Sequence, residues 1–213
     1  MLLEVRSTSP FYKNGFVLGC EKSREAVLID PGDEVEDLLD VVRREKLSVA
    51  HILLTHAHVD HITGVGRAKA VLGAPVHLHR ADQLLYETAE EQAALFGFRM
   101  EAPPPVDRFF EDGDRLAFGG YQVRIHHTPG HTPGGVCLQV GPSGMIGMQL
   151  FVGDTLFAGS IGRTDLPGAN HDTLIRSITQ VLFAFGDEAE VYPGHGPKTT
   201  IGHERRTNPF LRP

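Results

Sequence analysis

The segment Thr55–His61 places four potential metal ligands within six residues. In an extended loop the side chains of His56 and His58 point to the same side and can share one ion, whereas on a helix they would point about 200° apart. Asp60 and His61 are adjacent and face different directions, so that one pair of the loop can serve a neighbouring ion. We therefore predict that this segment is an extended loop that binds metal.

Three further residues complete the ligand set. His131 and His195 each follow a Pro-Gly pair at a tight turn behind a predicted strand, and Asp154 follows Val152-Gly153 in the same way. Loops that connect regular elements commonly carry binding and catalytic residues. The seven residues supply one three-histidine set and one set of two histidines and an aspartate, with Asp154 left to bridge. These nitrogen and oxygen donors, without a thiolate, suit zinc, iron or manganese.

The elements that must position these ligands alternate between strands and helices. Short apolar runs predict the strands, and amphipathic periodicity predicts the helices. Strands are predicted at 2–5, 15–20, 26–29, 49–54, 76–78, 107–110, 121–126, 136–140, 150–152 and 190–192, and helices around 35–42 and at 64–72, 81–96 and 172–185.

The element pattern also predicts how the chain is organised. Asp33 and Glu36 have the spacing of a capping box at the start of the first helix. Two similar halves of strands followed by helices indicate a layered α/β or α+β fold. We predict a single domain over residues 1–213, with a helical lobe around 81–102 that covers one edge.

The composition argues against several other classes of function. The net charge is −7 and the isoelectric point is near 5.9, whereas a nucleic-acid-binding face needs clustered lysine and arginine, so we predict no nucleic-acid partner. Apolar runs are too short for a bilayer or a signal peptide, which predicts a cytoplasmic protein with no membrane partner. Cys20 and Cys137 indicate no disulfide framework, and we predict that both are reduced core residues.

Seven short motifs, spread over nearly the whole chain, resemble one known family. They lie at 28–32, 56–61, 127–132, 153–154, 162–168, 193–197 and 204–211. The family is the metallo-β-lactamase superfamily, and within it the chain resembles the short glyoxalase-II-like (hydroxyacylglutathione hydrolase-like) hydrolases. The resemblance implies an α+β fold, a four-layer αβ/βα sandwich with the metals at one edge.

The same resemblance implies a role for each predicted ligand. Metal 1 would take His56, His58 and His131, metal 2 would take Asp60, His61 and His195, and Asp154 would bridge the two ions. True β-lactamases usually carry arginine where His61 stands and often cysteine where Asp154 stands. Both differences favour a glyoxalase-II-like centre. Asp30 is predicted to orient one of the ligand histidines by a hydrogen bond.

The implied activity is hydrolysis of a small-molecule thioester such as an S-acylglutathione. A hydroxide held by two divalent metal ions would attack the carbonyl, and Asp60 would both bind metal and accept the proton. Zinc is the first candidate for the ions, with iron or manganese as alternatives. The candidates for contact with the substrate are Arg163, His171, Lys198 and Arg205.

Other functions stay open at this point. Persulfide dioxygenases use a single iron and resemble the chain at 60–64 and 162–165, although they commonly carry cysteine where Ile161 stands. Lactonases and other ester hydrolases of the superfamily share the ligand set. A metal-binding protein without catalytic activity is a third class.

Overall fold

A computed structural model describes residues 1–212 and divides the chain into two compact units. The first unit comprises residues 1–110 and 118–120, and the second comprises 111–117 and the residues from 121 onward. Each unit contains one six-stranded sheet. The single domain over 1–213 stays a prediction, and its last residue, Pro213, lies outside the described residues.

The first unit is built on a mixed sheet whose strand order follows the chain. Neighbouring strands are antiparallel from the first to the third and parallel from the third to the sixth. Because parallel strands end at the same edge of a sheet, the residues that follow the fourth strand emerge at that edge. The strands are β1 (Leu2–Thr8), β2 (Lys13–Gly19), β3 (Glu25–Ile29), β4 (Ser48–Leu53), β5 (Val76–His79) and β6 (Arg108–Phe110).

The helices of the first unit include the predicted amphipathic helix, whose apolar stripe is buried in the same core as β4. The predicted capping box of Asp33 and Glu36 is wrong. Glu34 precedes the helix, and its Oε1 accepts a hydrogen bond from the Gly32 N–H at 2.9 Å, while Glu36 pairs with Arg67 at 2.5 Å. The helices are α1 (Val35–Arg44), α2 (Val59–Ile62), α3 (Val65–Leu72), α4 (Gln83–Glu87) and α5 (Ala89–Leu95).

The helical part of the predicted lobe covers residues 80–95, and we use the name helical lobe for these residues from here on. It is not the single helix predicted over 81–96. A 3-10 turn at Arg80–Asp82 precedes α4, and Thr88 separates α4 from α5. The hydroxyl of Thr88 donates to the carbonyl of Leu84 at 2.9 Å. Such a local side-chain bond competes with a regular helix, which explains the break.

The second unit is built on another mixed sheet, with the order β14-β13-β10-β9-β8-β7, and on a separate two-stranded hairpin. Within the sheet β10 and β13 are parallel, whereas β8–β9, β9–β10 and β13–β14 are antiparallel. The strands are β7 (Arg115–Phe118), β8 (Tyr121–His127), β9 (Val136–Pro142), β10 (Gln149–Gly153), β11 (Leu156–Phe157), β12 (Ser160–Ile161), β13 (Glu190–Pro193) and β14 (Thr199–Thr200).

The helix predicted over 172–185 is helical throughout but not uniformly α-helical. It begins as α6 (His171–Arg176), continues as a π-helical segment at Ser177–Val181 and ends as a 3-10 segment at Leu182–Phe185. Gly186 ends it with a φ of 86°. A further helix, α7 (Ile201–Thr207), was not predicted. Across residues 1–212, no helix combines the length and the apolar character that crossing a membrane requires.

The two cysteines agree with their prediction as reduced core residues. Cys20 and Cys137 are both buried, and both are free thiols. Burial raises the pKa of the Cys137 thiol, so this side chain is neutral and packs as a small apolar residue.

His77 on β5 is a buried histidine packed between another imidazole and a phenyl ring. Its Nε2 lies 3.1 Å from Nδ1 of His51 on β4, and its ring stacks on Phe110 with the centroids 5.6 Å apart. Burial, together with the charges of His51 and Arg108, lowers the pKa of His77 to about 4. The imidazole is therefore neutral at physiological pH.

We expect this histidine to destabilise the protein in acid. The unfolded chain takes up the proton near its ordinary pKa of about 6.5, whereas the folded protein binds it only near pH 4. Because the unfolded state binds more protons between these values, stability falls as the pH drops through this window. Over the whole window this proton uptake lowers the free energy of unfolding by about 3 kcal/mol.

The measurement is the free energy of unfolding in urea at pH 7.5 and pH 4.5. His77→Gln should show a smaller loss between the two pH values than the wild type. His203→Gln, which changes an exposed histidine, serves as the control and should keep the wild-type loss. An equal loss in His77→Gln and the wild type would show that His77 does not carry the acid sensitivity.

Candidate metal centre

The first-unit ligands follow β4 directly, as the sequence predicts, but only part of their segment is extended. The backbone at His58 is extended, with φ −69° and ψ 147°, whereas Asp60 and His61 lie in the helical turn α2. The prediction of an extended loop is therefore wrong for these two residues. The rings of His56 and His58 meet edge to face with centroids 4.9 Å apart, and those of His56 and His61 are 4.1 Å apart.

Asp30 fixes the orientation of His61, which confirms the prediction for this residue. Its Oδ2 lies 3.0 Å from Nδ1 of His61. The same carboxylate accepts hydrogen bonds from the backbone N–H of Thr55 at 2.7 Å and from its hydroxyl at 2.6 Å. A proton on Nδ1 directed at the carboxylate makes Nε2 of His61 the nitrogen that can bind a metal.

A buried ion pair supports the backbone of Asp30. Nζ of Lys13 lies 2.5 Å from Oε1 of Glu34, and each side chain is only 1% exposed. Lys13 also donates to the carbonyl oxygen of Asp30, whose φ of 48° is in the left-handed region. A non-glycine residue in this region is strained unless its surroundings hold it. Sequence reasoning missed this pair, because no local pattern links positions 13 and 34.

Gly32 is required where the Asp-Pro-Gly turn passes the predicted metal ligands. A Cβ at this position would lie 2.2 Å from the carbonyl oxygen of Asp60 and 2.8 Å from Cε of Lys13. The backbone at Asp60 could not lie this close to position 32 if that residue carried a side chain. The Asp-Pro-Gly turn therefore packs directly against the segment that carries Asp60.

The second-unit ligands stand at the ends of two neighbouring parallel strands. Gly153 at the end of β10 and Pro193 at the end of β13 are register partners. The N–H of Gly194 donates to the carbonyl of Gly153 at 2.8 Å, which ties together the two turns that carry Asp154 and His195. Nε2 of His195 lies 3.6 Å from Oδ2 of Asp154.

His131 reaches the same carboxylate from a third turn. Its Nε2 also lies 3.6 Å from Oδ2 of Asp154, and its Nδ1 lies 2.8 Å from the carbonyl oxygen of Arg163. A carbonyl can only accept, so the proton is on Nδ1 and Nε2 is the metal-binding nitrogen. Gly162 allows this arrangement, because a Cβ there would lie 1.9 Å from the carbonyl oxygen of Asp154 and 3.1 Å from Nδ1 of His131.

The donor atoms within each unit have the spacing that a shared ion requires. The distances of 3.6 Å from Asp154 to His131 and to His195 and of 3.7 Å between Asp60 Oδ2 and His61 Nε2 are too long for good hydrogen bonds. Two atoms bound to one zinc at about 2.1 Å in tetrahedral geometry lie about 3.4 Å apart. The residues of both units therefore fit divalent metal ions.

Two predicted substrate contacts lie at the surface of the second unit. The guanidinium of Arg163 makes two hydrogen bonds of 2.7 Å to the carboxylate of Asp165 and lowers the pKa of that carboxyl to about 2. His171 is exposed and begins α6, behind the capping side chain of Asn170. Their contact with a substrate stays a prediction.

The other two predicted contacts are also paired with acidic side chains. Nζ of Lys198 lies 2.9 Å from Glu190, whose carboxylate raises the pKa of the lysine. Nε of Arg205 lies 3.4 Å from Asp187, and the guanidinium also donates to the carbonyl of Phe183 at 2.5 Å. A substrate anion would have to compete with these carboxylates, and the substrate role of both residues stays a prediction.

Comparison with known families identifies the chain. The profile described as the Metallo-beta-lactamase superfamily matches residues 9–195. The chain belongs to the metallo-β-lactamase superfamily. The predicted α+β fold of the metallo-β-lactamase type is confirmed.

Within the superfamily the chain is similar to a curated hydrolase over its whole length. It is 36% identical to the hydroxyacylglutathione hydrolase GloC of Haemophilus influenzae, over 99% of this chain and 98% of that protein. It is 34% identical to the probable metallo-hydrolase YqgX of Bacillus subtilis, over 88% of this chain and 87% of that protein. The predicted likeness to hydroxyacylglutathione hydrolases is therefore confirmed.

Three solved structures are also similar. The di-iron-bound form of TTHA1623 is 44% identical, with a TM-score of 0.86 over 98% of this chain and 100% of that one. The B3 metallo-beta-lactamase BLEG-1 is 36% identical, with a TM-score of 0.90 over the whole of both chains. ETHE1 from Myxococcus xanthus is 29% identical, with a TM-score of 0.80 over 98% of this chain and 84% of that one.

Proposed function

We propose that this protein is a metal-dependent hydrolase that cleaves a thioester such as an S-acylglutathione. The observation that carries the proposal is the 36% identity with the Haemophilus hydroxyacylglutathione hydrolase, which extends over 99% of this chain. The histidine and aspartate set supports it, because His61 and Asp154 stand where true β-lactamases usually have arginine and often cysteine. The proposal therefore favours a thioester over a β-lactam as the substrate.

We further propose that the predicted histidine and aspartate ligands hold two divalent metal ions, as the family resemblance implies. The spacing of donor atoms within each unit and the membership in a metal-binding superfamily support this assignment. Zinc remains the first candidate, and the di-iron form of the 44% identical TTHA1623 favours iron as the alternative. The proposed ligands are His56, His58 and His131 for metal 1 and Asp60, His61 and His195 for metal 2, with Asp154 as the bridge.

Such ions lower the pKa of a bound water and polarise a carbonyl group. The carboxylate of Asp60 accepts the proton that the attacking water releases. Asp30 keeps the proton of His61 on Nδ1, and the carbonyl of Arg163 does the same for His131. Thiolate is a good leaving group, so the cleavage needs no acid from the chain.

The test combines metal content with turnover on one sample of freshly purified protein. Elemental analysis should find about two metal ions per chain, and the same sample should hydrolyse S-lactoylglutathione. Removal of the metal with a chelator should abolish the turnover, and added zinc or iron should restore it. Two ions per chain without thioester turnover would leave the metal centre in place and overturn the proposed substrate.

A persulfide dioxygenase is the second candidate function. The 29% identity with Myxococcus ETHE1 and the shared segments 60–64 and 162–165 favour it, while Ile161 stands where that class commonly has cysteine. A single iron per chain, no hydrolysis of S-lactoylglutathione and oxygen uptake with glutathione persulfide would establish this function. That result would overturn the proposed roles of Asp60, His61 and His195.

A further inference from the structure

Two side chains of the helical lobe hold the residue that separates His56 from His58. Oδ2 of Asp82 accepts a hydrogen bond from the backbone N–H of Ala57 at 3.1 Å. Nε2 of Gln92 donates to the backbone carbonyl of the same residue at 3.2 Å. The lobe therefore contacts both polar backbone groups of the one residue between these two ligands.

The need for these bonds follows from burial. Ala57 is fully buried and lies in neither a strand nor a helix, so no regular hydrogen-bond pattern pairs its backbone groups. A buried backbone group without a hydrogen-bond partner destabilises the folded state. The side chains of Asp82 and Gln92 supply these partners. A substitution of either residue therefore alters the backbone between the proposed ligands His56 and His58.

Both side chains are themselves firmly held. Asp82 is the fully buried last residue of the 3-10 turn, directly before α4, and its carboxylate is a stronger acceptor than a neutral group. The amide nitrogen of Gln92 on α5 donates also to the carbonyl of Leu85 at 2.6 Å. One NH₂ group thus bonds both to the lobe and to the segment Thr55–His61. Its bond to Leu85 fixes its position within the lobe.

We propose that Asp82 and Gln92 are positioning residues that hold His56 and His58 for binding one metal ion. They act through the Ala57 peptide groups, whose rotation would change the 4.9 Å edge-to-face arrangement of the two rings. This inference rests on the proposed metal centre. Coupling between two sites is reciprocal. Metal binding to His56 and His58 therefore also stabilises the folded lobe, and a change that loosens the lobe lowers the metal affinity by the same coupling free energy.

The decisive variant is Gln92→Ala, with Gln83→Ala as its matched control. Gln83 belongs to the same lobe, but its amide bonds Glu87 at 2.7 Å on the exposed side. Zinc is titrated into the metal-free chain in competition with a chromophoric chelator. Gln92→Ala should bind one of its zinc ions about 10- to 100-fold less tightly than the wild type, the loss typical when a partner that orients a metal ligand is removed. Gln83→Ala should match the wild type.

Asp82 is tested by two substitutions, because loss of a buried carboxylate can also impair folding. Asp82→Asn keeps an oxygen acceptor for the Ala57 N–H and should bind zinc more tightly than Asp82→Ala. Equal affinities in these two variants, or wild-type affinity in Gln92→Ala, would overturn the positioning role. Each variant is first compared with the wild type by circular dichroism and urea unfolding without metal.

Hydrogen exchange provides a readout that a merely structural role would not move. Zinc should slow amide exchange over residues 83–95 in the wild type and in Gln83→Ala, and this protection should shrink in Gln92→Ala. Protection that is the same in all three proteins would contradict the coupling. A wild-type chain that binds no zinc and no iron would instead overturn the metal centre itself, so the two failures are distinguishable.

Discussion

Asp154→Asn should lower the turnover of S-lactoylglutathione by about 10²- to 10³-fold or more, the loss typical when one stabilising group of a reacting centre is removed. Oδ2 of this aspartate lies 3.6 Å from Nε2 of both His131 and His195. A neutral amide removes the negative charge that would bridge two cations. Elemental analysis of the variant should accordingly find fewer than two metal ions per chain.

Asp172→Asn is the control for this substitution, because it neutralises an exposed carboxylate of the same unit, on α6. It should keep the turnover and the metal content of the wild type.

His61→Ala then distinguishes the two candidate functions. A dinuclear hydrolase loses turnover with either Asp154→Asn or His61→Ala, whereas a mononuclear oxygenase tolerates the loss of His61. Full metal content in Asp154→Asn would remove this residue from the centre.

Lys13→Met should lower the free energy of unfolding by about 3–5 kcal/mol, the range for breaking a buried ion pair on one side. The substitution leaves the carboxylate of Glu34 buried with the Gly32 N–H, and the carbonyl of Asp30 loses its lysine. The metal content should fall as well, because Asp30 orients His61. Urea unfolding and elemental analysis measure the two effects.

Arg67→Met is the matched control, because Arg67 pairs with Glu36 at 2.5 Å but both side chains are more than half exposed. Exposed pairs contribute about 0–1 kcal/mol, so this variant should unfold almost as the wild type does. The double variant Lys13→Met/Glu34→Leu should be less destabilised than Lys13→Met alone, since it leaves no buried charge. A loss in Lys13→Met no larger than in Arg67→Met would contradict the role of the buried pair.

The sequence predicts those features that depend on neighbouring residues. The apolar run of β4 and the stripe of α1 are local patterns, and both elements lie where the sequence places them. The closely spaced ligands behind β4 and the Pro-Gly-His turns are local as well. Family resemblance extended these patterns to the whole fold, because its motifs are spread along nearly the whole chain.

Features that depend on distant residues could not be predicted in the same way. Lys13 and Glu34 meet only when β2 and the turn before α1 are folded, and Asp82 meets Ala57 from a separate segment. The capping box failed for the same reason, since Glu36 pairs with Arg67, a residue 31 positions away in the chain. The short strands β11, β12 and β14 contain two residues each, which is too few for a recognisable period.

The order of the ligands along the chain has a consequence for the synthesis of the protein. All ligands of the first unit lie before residue 62, and the sheet of that unit is complete at Phe110. At about 5–20 residues per second, the ribosome needs on the order of 4 to 17 s more to reach His195. A nascent chain thus contains three imidazoles and a carboxylate of the proposed centre before the ribosome has made all the predicted ligands of the second unit. If the proposed centre binds metal, its first-unit ligands are therefore exposed to ions during translation, before its second-unit ligands have been made.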